Sequence, residues 1–228
     1  MRKIAVLTVA CLASIACADV VFPAATGPTR TATALDRDLV AAVPYDGIIT
    51  YGSSAQNFEA AYDAYDIQPF MDFTTSADYY LGAVTSEGFE TGGLDNPGGS
   101  TFEIWSDFPW NGGSVILSAN GTDTLFSSGT IDADFAGALL PAGTYLLSAY
   151  ANRDYATYGQ SYLYQSPLGN NNDWHWNPGE GFGSGEYWQI TDEGGANTDL
   201  NFVLQGTLVP EPASLILLSL AGLIIRRR

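Results

Sequence analysis

Four aromatic residues within 170–190 have the chemistry of a carbohydrate-binding surface. They stand among glycine, asparagine and acidic residues and are Trp174, Trp176, Tyr187 and Trp188. Aromatic faces stack on the CH groups of sugars, and nearby amide and carboxylate groups hydrogen-bond the hydroxyls. The alternative is that these rings cap a hydrophobic core, which tryptophan also does readily. The residue types therefore predict either a glycan-binding surface or a packed end of the domain.

Histidine and cysteine chemistry is limited by how few of these residues the chain contains. His175 is its single histidine, and Cys11 and Cys17 are its two cysteines. Because both cysteines lie in a segment expected to be removed, a zinc site of Cys and His ligands is excluded. A Ser-His-Asp triad would need His175, and no Gly-x-Ser-x-Gly motif accompanies it. Phosphate-binding and dinucleotide-binding motifs are also absent. We predict no catalytic residue and expect a protein that is not an enzyme.

The acidic residues allow two further kinds of site. Asp132 and Asp134 offer hard oxygen ligands, which makes them weak candidates for Ca²⁺ and otherwise solvated surface acids. No other cofactor is expected. Two carboxylates suffice to hydrolyse a glycosidic bond, but no spacing among the 25 acids singles out one pair. An extracellular polysaccharide hydrolase with paired carboxylates is therefore the alternative function.

Charge is distributed unevenly along the chain. Residues 19–211 contain all 25 acids and three arginines, a formal charge of −22. A body this acidic repels phosphate backbones, so nucleic-acid binding is excluded. The chain is nevertheless 46% hydrophobic and 13% aromatic, and disordered acidic chains lack such residues. We expect a folded, acidic domain.

The N-terminal segment has the pattern of a secretory signal peptide. Residues 1–18 comprise a basic start, an apolar run and the small residues Ala16 and Ala18 at a predicted cleavage site. The alternative is lipidation of Cys17, but Ser14 stands where the lipoprotein pattern requires a large aliphatic residue. Signal peptidase is thus an expected partner, and residues 19–45 are expected to form a flexible lead-in.

The C-terminal segment ends in an uncharged apolar run followed by basic residues. Residues 213–225 would form a helix about 20 Å long, against a bilayer core of about 30 Å. The positive-inside rule keeps the arginine cluster cytoplasmic and the acidic body outside. That cluster consists of Arg226, Arg227 and Arg228.

The order of parts in residues 208–228 resembles the bacterial PEP-CTERM sorting signal. The motif residues are Val209, Pro210, Glu211 and Pro212, and the apolar helix and arginine cluster follow them. The resemblance implies that an exosortase recognises the motif and removes the tail. It also implies transient anchoring in the inner membrane, then export to the cell surface or extracellular matrix of an organism that makes exopolysaccharide. The alternative is a simple membrane anchor. We expect a structural or adhesive role, with exopolysaccharide as a partner.

Between the ends, short apolar runs alternate with Gly, Asn, Asp and Ser. This pattern is typical of an all-β sandwich, here assigned to residues 46–207. The Asn120-Gly121 pair predicts a tight turn. About eight strands are expected, at 78–84, 100–106, 114–119, 122–128, 143–151, 161–165, 186–191 and 199–205.

Residues 56–66 have aromatic residues at helical spacing, but glycine, serine and proline flank them. Their sequence, QNFEAAYDAYD, resembles the opening of exported bacterial β-sandwich modules, in which this segment is extended. Asp72-Phe73 and the segments 140–145, 177–182 and 199–206 resemble later strands of those modules. The resemblance implies a single jelly-roll-like sandwich and a non-helical segment at 56–66.

Overall fold

A computed structural model describes residues 38–45, 47, 52–92, 98–122, 129–192 and 195–210. Over these ranges the chain is all-β, with two sheets whose strand pairs are antiparallel except for one short parallel contact. The predicted all-β class is confirmed, and the two sheets are consistent with a β-sandwich. The signal peptide, residues 19–37 of the predicted flexible lead-in and most of the sorting signal lie outside the described residues. The described end of the lead-in is not flexible throughout, because Asp38–Val43 forms a strand paired with the last described strand of the chain.

The first sheet has eight strands around a long central strand. The strands are β1 (Asp38–Val43), β2 (Gly52–Ser54), β5 (Tyr79–Glu90), β8 (Thr130–Asp134), β9 (Leu139–Leu140), β11 (Ser161–Ser166), β14 (Asp199–Leu200) and β15 (Phe202–Leu208). The main path of the sheet is β1-β15-β5-β11-β14, while β8 and β9 also pair with β5, and β2 pairs with β11.

The second sheet has seven strands and carries most of the tryptophans. The strands are β3 (Gln56–Asn57), β4 (Gln68–Thr75), β6 (Ser100–Trp105), β7 (Val115–Gly121), β10 (Gly143–Asn152), β12 (Trp174–Trp176) and β13 (Tyr187–Gln189). The path of the sheet is β13-β12-β4-β10-β6-β7, and β3 adds a parallel pair to β10. The described helical segments are two 3-10 helices, Asp63–Tyr65 and Pro109–Asn111, and α1 (Tyr155–Tyr158).

The core lies between the sheets and follows the two-residue period of a strand. In β10, Leu147 and Ala149 face the core and are fully buried. Phe202 and Leu204 of β15 meet them from the first sheet, as the alternation within 199–205 predicts. These strands form because alternate apolar side chains leave water on one face while the backbone pairs with its neighbours.

The turn predicted at Asn120-Gly121 is wrong. Both residues continue β7 and pair with Thr101 and Ser100 of β6. Gly121 serves a close approach instead, since a Cβ there would lie 1.9 Å from the carbonyl oxygen of Asp132 in β8. Residues 123–128, which include most of the predicted returning strand, lie outside the described residues.

Residues 56–66 begin extended, as predicted, but do not remain so. Gln56–Asn57 forms β3, and Asp63–Tyr65 closes a single 3-10 turn. The turn brings the ring of Tyr65 edge-on to Phe182, with ring centres 5.4 Å apart. The non-helical prediction is therefore correct for the start of the segment and wrong for this one turn.

Candidate functional site

The outer face of the second sheet carries a second hydrophobic cluster, separate from the core. It consists of Phe70 of β4, Trp105 of β6 and Leu146 of β10, with nearby aromatic residues packed against it. Phe70 is fully buried, and its ring lies edge-on to Trp105 at 5.5 Å. An outward-facing phenylalanine with no exposure requires a covering layer, and further aromatic residues supply it.

That layer, which we call the aromatic platform, consists of Phe108, Trp110, Trp174, Trp176 and Tyr187. Trp110 lies between two nearly parallel rings, Phe108 at 4.5 Å and Tyr187 at 4.4 Å. Trp174 is about 6 Å from Trp110 and Tyr187. Tyr187 is 45% exposed, and the other rings are half-buried. The platform thus places a group of packed aromatic rings at the protein surface.

The pairing of β12 with β13 decides which predicted aromatic residues come together. Trp176 stands opposite Tyr187, which places these two rings and Trp174 on the outer face. His175 stands opposite Trp188, and both point to the other face, with ring centres 5.1 Å apart. The structure therefore brings together three of the four predicted residues and places Trp188 elsewhere.

Two of the five platform residues, Phe108 and Trp110, come from a loop outside the aromatic group predicted within 170–190. Asp107 holds the loop by accepting hydrogen bonds from the Phe108 backbone N–H at 2.7 Å and the Asn111 amide at 3.2 Å. Gly113 fits closely, since a Cβ there would lie 1.8 Å from the Asp107 carbonyl oxygen. Two aromatic residues around Pro109, followed by Asn-Gly-Gly, were the available signal of a rigid aromatic loop.

A polar cleft of about 220 Å³ adjoins the platform. Trp176 belongs to both, so one tryptophan joins an apolar surface to a set of amide, carboxylate and phenol groups. The cleft is lined by Gln56, Asn57, Asp66, Ile67, Gln68, Tyr150, Trp176 and Pro178. This combination of aromatic faces and convergent polar groups is the usual composition of a small-molecule site.

Glu103 fixes the polar groups between the cleft and the second cluster. Its Oε2 accepts hydrogen bonds from Gln68 Nε2 at 2.6 Å and Trp105 Nε1 at 3.0 Å. Burial raises the pKa of Tyr150, and the Glu103 carboxylate adds to that rise. Tyr150 therefore keeps its proton at neutral pH and offers the cleft a neutral phenol.

Asp66 is the acidic group of the cleft. Burial raises the pKa of its carboxyl, the Phe58 backbone N–H lowers it, and the nearby Asp63 carboxylate raises it again. Phe58 donates to Asp66 Oδ1 at 2.7 Å. The carboxyl is thus held in place as an acceptor.

Three other titratable groups near β12 are buried, and two of them, Asp199 and Asp173, hold loops through hydrogen bonds to backbone N–H groups. Asp199 accepts from the backbone N–H groups of Asn171 and Asn172, each at 2.9 Å. Asp173 accepts from the Leu200 N–H at 2.6 Å, and burial followed by the Asp199 charge raises its pKa. Burial lowers the pKa of His175 to about 3. His175 is therefore a neutral, buried imidazole.

The predicted calcium ligands and the predicted processing residues lie in different parts of the chain. Asp132 and Asp134 lie two positions apart in β8, and Asp134 Oδ1 accepts from the Ala136 N–H at 2.7 Å. Across the described ranges, no group of three His, Cys, Asp or Glu side chains is placed to hold a metal ion. The Val209 N–H donates to the Asp78 carbonyl oxygen at 2.9 Å, and Pro210 ends the described part. The remaining processing residues, which are Ala16, Ala18, Glu211, Pro212, Arg226, Arg227 and Arg228, lie outside it.

Comparison with known protein-family models and with curated proteins finds no match. In the part of the chain that the structure describes, no helix has the length and apolar character needed to span a bilayer.

Proposed function

We propose that the protein is an exported surface or extracellular-matrix protein that binds exopolysaccharide through the aromatic platform. The observation that supports this best is the stacked series Phe108, Trp110 and Tyr187 beside a polar cleft. Its role in the matrix is structural or adhesive rather than catalytic.

The platform matches what a sugar ring needs. A pyranose presents CH groups on a face that packs against an aromatic ring, while its hydroxyls extend from the edge. Trp176 places such a ring beside the Gln68 amide and the Tyr150 phenol of the cleft. Because the rings are held by one another, little side-chain entropy is lost when a sugar binds.

Export is supported by the two ends of the sequence. A signal-peptide pattern precedes the acidic body, and a PEP-CTERM-like segment follows it. We further propose that the sandwich is jelly-roll-like, on the strength of the resemblance to exported modules. A platform on an exported domain would meet polysaccharide outside the cell.

Replacing Trp110 with alanine tests the binding site. We expect affinity for a bound glycan to fall at least about tenfold, about 1.4 kcal/mol, because both stacking partners lose their neighbour. Binding is measured by glycan array and then by calorimetry on the best glycan. Tyr80→Ala is the matched control, since Tyr80 is an exposed aromatic residue of the first sheet.

Two results would contradict the proposal. One is equal binding by the Trp110 and Tyr80 variants, which would place the site elsewhere. The other is release of reducing ends from a soluble glycan, abolished by a single Asp or Glu substitution, which would replace binding with hydrolysis.

The sorting proposal has an independent measurement. The intact mass of the protein from its native host should correspond to a chain without residues 1–18 and without the C-terminal arginine cluster. If Arg226, Arg227 and Arg228 remain in the mature protein, removal of the tail by an exosortase is wrong.

A further inference from the structure

Resting on the proposed function, we propose that the glycan bound at the platform carries free amino groups. The platform would prefer a polymer of amino sugars to a neutral polymer, and a neutral polymer to a uronic-acid polymer. The juxtaposition behind this is two carboxylates, Glu103 and Glu186, each hydrogen-bonded to an indole N–H, that of Trp105 beneath the platform and that of Trp176 within it.

The two carboxylates are held in place by those indoles. Glu186 Oε1 accepts from Trp176 Nε1 at 3.3 Å, and Glu103 Oε2 accepts from Trp105 Nε1 at 3.0 Å. The centres of the Trp105 and Trp176 rings are 6.1 Å apart. A sugar stacked beside Trp176 would therefore direct its ring substituents towards fixed negative charge.

An ammonium group on the sugar would strengthen binding to this surface in two ways. It can donate charge-assisted hydrogen bonds to a carboxylate, which are about twice as strong as those between neutral groups. It is also attracted by the negative face of a tryptophan ring. The aromatic rings and the carboxylates thus favour the same ligand charge for independent reasons.

A negatively charged sugar would bind the same surface less tightly than a neutral sugar. A uronate would face Glu103, Glu186 and the Asp66 of the cleft, and like charges repel. Across the described ranges Arg153 is the only Lys or Arg, and it is buried in an ion pair with Glu90. The described surface therefore has no lysine or arginine with which to bind a uronate.

Three hexamers with the same β-1,4 linkage test the preference. They are oligomers of glucosamine, glucose and glucuronic acid, measured by calorimetry on the intact body at mildly acidic pH, where the amines are protonated. At low salt we expect the glucosamine hexamer to bind about tenfold tighter than the glucose hexamer, as one charge-assisted hydrogen bond provides. Added salt should reduce this ratio.

Glu186→Gln and Glu103→Gln should each lower the ratio of glucosamine to glucose affinity severalfold. Asp38→Asn is the matched control, since it removes one charge from an exposed residue of the first sheet. If Asp38→Asn lowers the ratio as much, net charge rather than the platform selects the ligand, and the inference is wrong.

The remaining outcomes separate this inference from the proposed function. Tight binding of the glucose hexamer with no preference for glucosamine overturns the inference and leaves the glycan-binding proposal standing. Failure of every hexamer, and of every glycan on the array, overturns both.

Discussion

His175 combines a titratable ring with a buried position in β12. Desolvation by burial lowers its pKa from 6.5 to about 3, and the nearby Ser54 backbone acts in the opposite direction. Between pH 6.5 and about 3, the unfolded chain therefore binds a proton at His175 that the folded chain does not bind. Stability from this residue is complete above pH 6.5 and is lost as the pH falls through that window.

Replacing His175 with leucine should remove that pH dependence. In the wild type we expect His175 to contribute a loss of up to about 1.4 kcal/mol per pH unit on acidification. Asp66, Glu87 and Asp173 have raised pKa values and act in the opposite direction. The measurement is therefore the difference between wild type and variant in urea unfolding, taken at several pH values.

Trp188→Phe provides the control for His175, because it changes the ring packed 5.1 Å from the imidazole without removing the titration. The control should keep the acid-dependent loss, whatever its stability at neutral pH. A Leu variant whose unfolding free energy follows the wild-type pH curve would contradict the assignment to His175.

Gln56 shows how an element is joined to its neighbours. Its Nε2 donates to the Arg153 carbonyl oxygen at 2.8 Å, and its Oε1 accepts from the Ser161 N–H at 2.8 Å. It is 1% exposed. One buried amide therefore connects β3 to the end of β10 and to the start of β11.

Gln56→Leu should destabilise the domain by about 2–3 kcal/mol, because it leaves a buried carbonyl and a buried N–H without their partner. Urea unfolding measures this directly. The neighbouring Asn57→Ala is the control, since Asn57 is exposed and its amide donates an exposed hydrogen bond to Asn152 Oδ1 at 3.2 Å. Equal losses in the two variants would show that Gln56 is not a joint between strands.

Local patterns in the sequence predict about half of the described strands and fewer of the contacts between them. Alternation correctly identifies β5, β6, β10 and β15, because burial on one face leaves a two-residue period. The turn at Asn120-Gly121 fails because pairing with β6 and the approach of β8 decide that position. Both depend on residues far away in the chain.

The aromatic platform likewise has one part that local sequence spacing predicts and another part that it does not. Trp174, Trp176 and Tyr187 are close in sequence, so their clustering could be predicted from spacing alone. Trp110 joins them because β12 pairs with β4, and β4 is joined through β10 to β6, from which the Trp110 loop extends. No local spacing in the sequence indicates the contact with Trp110. The separation of Trp188 from Tyr187 does follow from the sequence, because neighbouring residues of a strand point to opposite faces of the sheet.

The acidity of the whole molecule has a consequence for its stability. Residues 19–211 have a formal charge of −22, and like charges held in a compact body repel one another. Screening acts over about 30 Å at 10 mM salt and about 3 Å at 1 M. The folded state should therefore gain more from added salt than the expanded unfolded chain.

We expect the melting temperature of the mature body to rise by several degrees between about 10 mM and 0.5 M NaCl and then to level off. Tetramethylammonium chloride at the same ionic strength should act similarly if screening is the cause. A Ca²⁺ effect beyond that of matched NaCl, lost in an Asp132→Asn, Asp134→Asn double variant, would instead show a specific cation site. If neither salt changes the melting temperature, the prediction of self-repulsion is wrong. Screening a charge of this size must relieve any repulsion among the surface carboxylates.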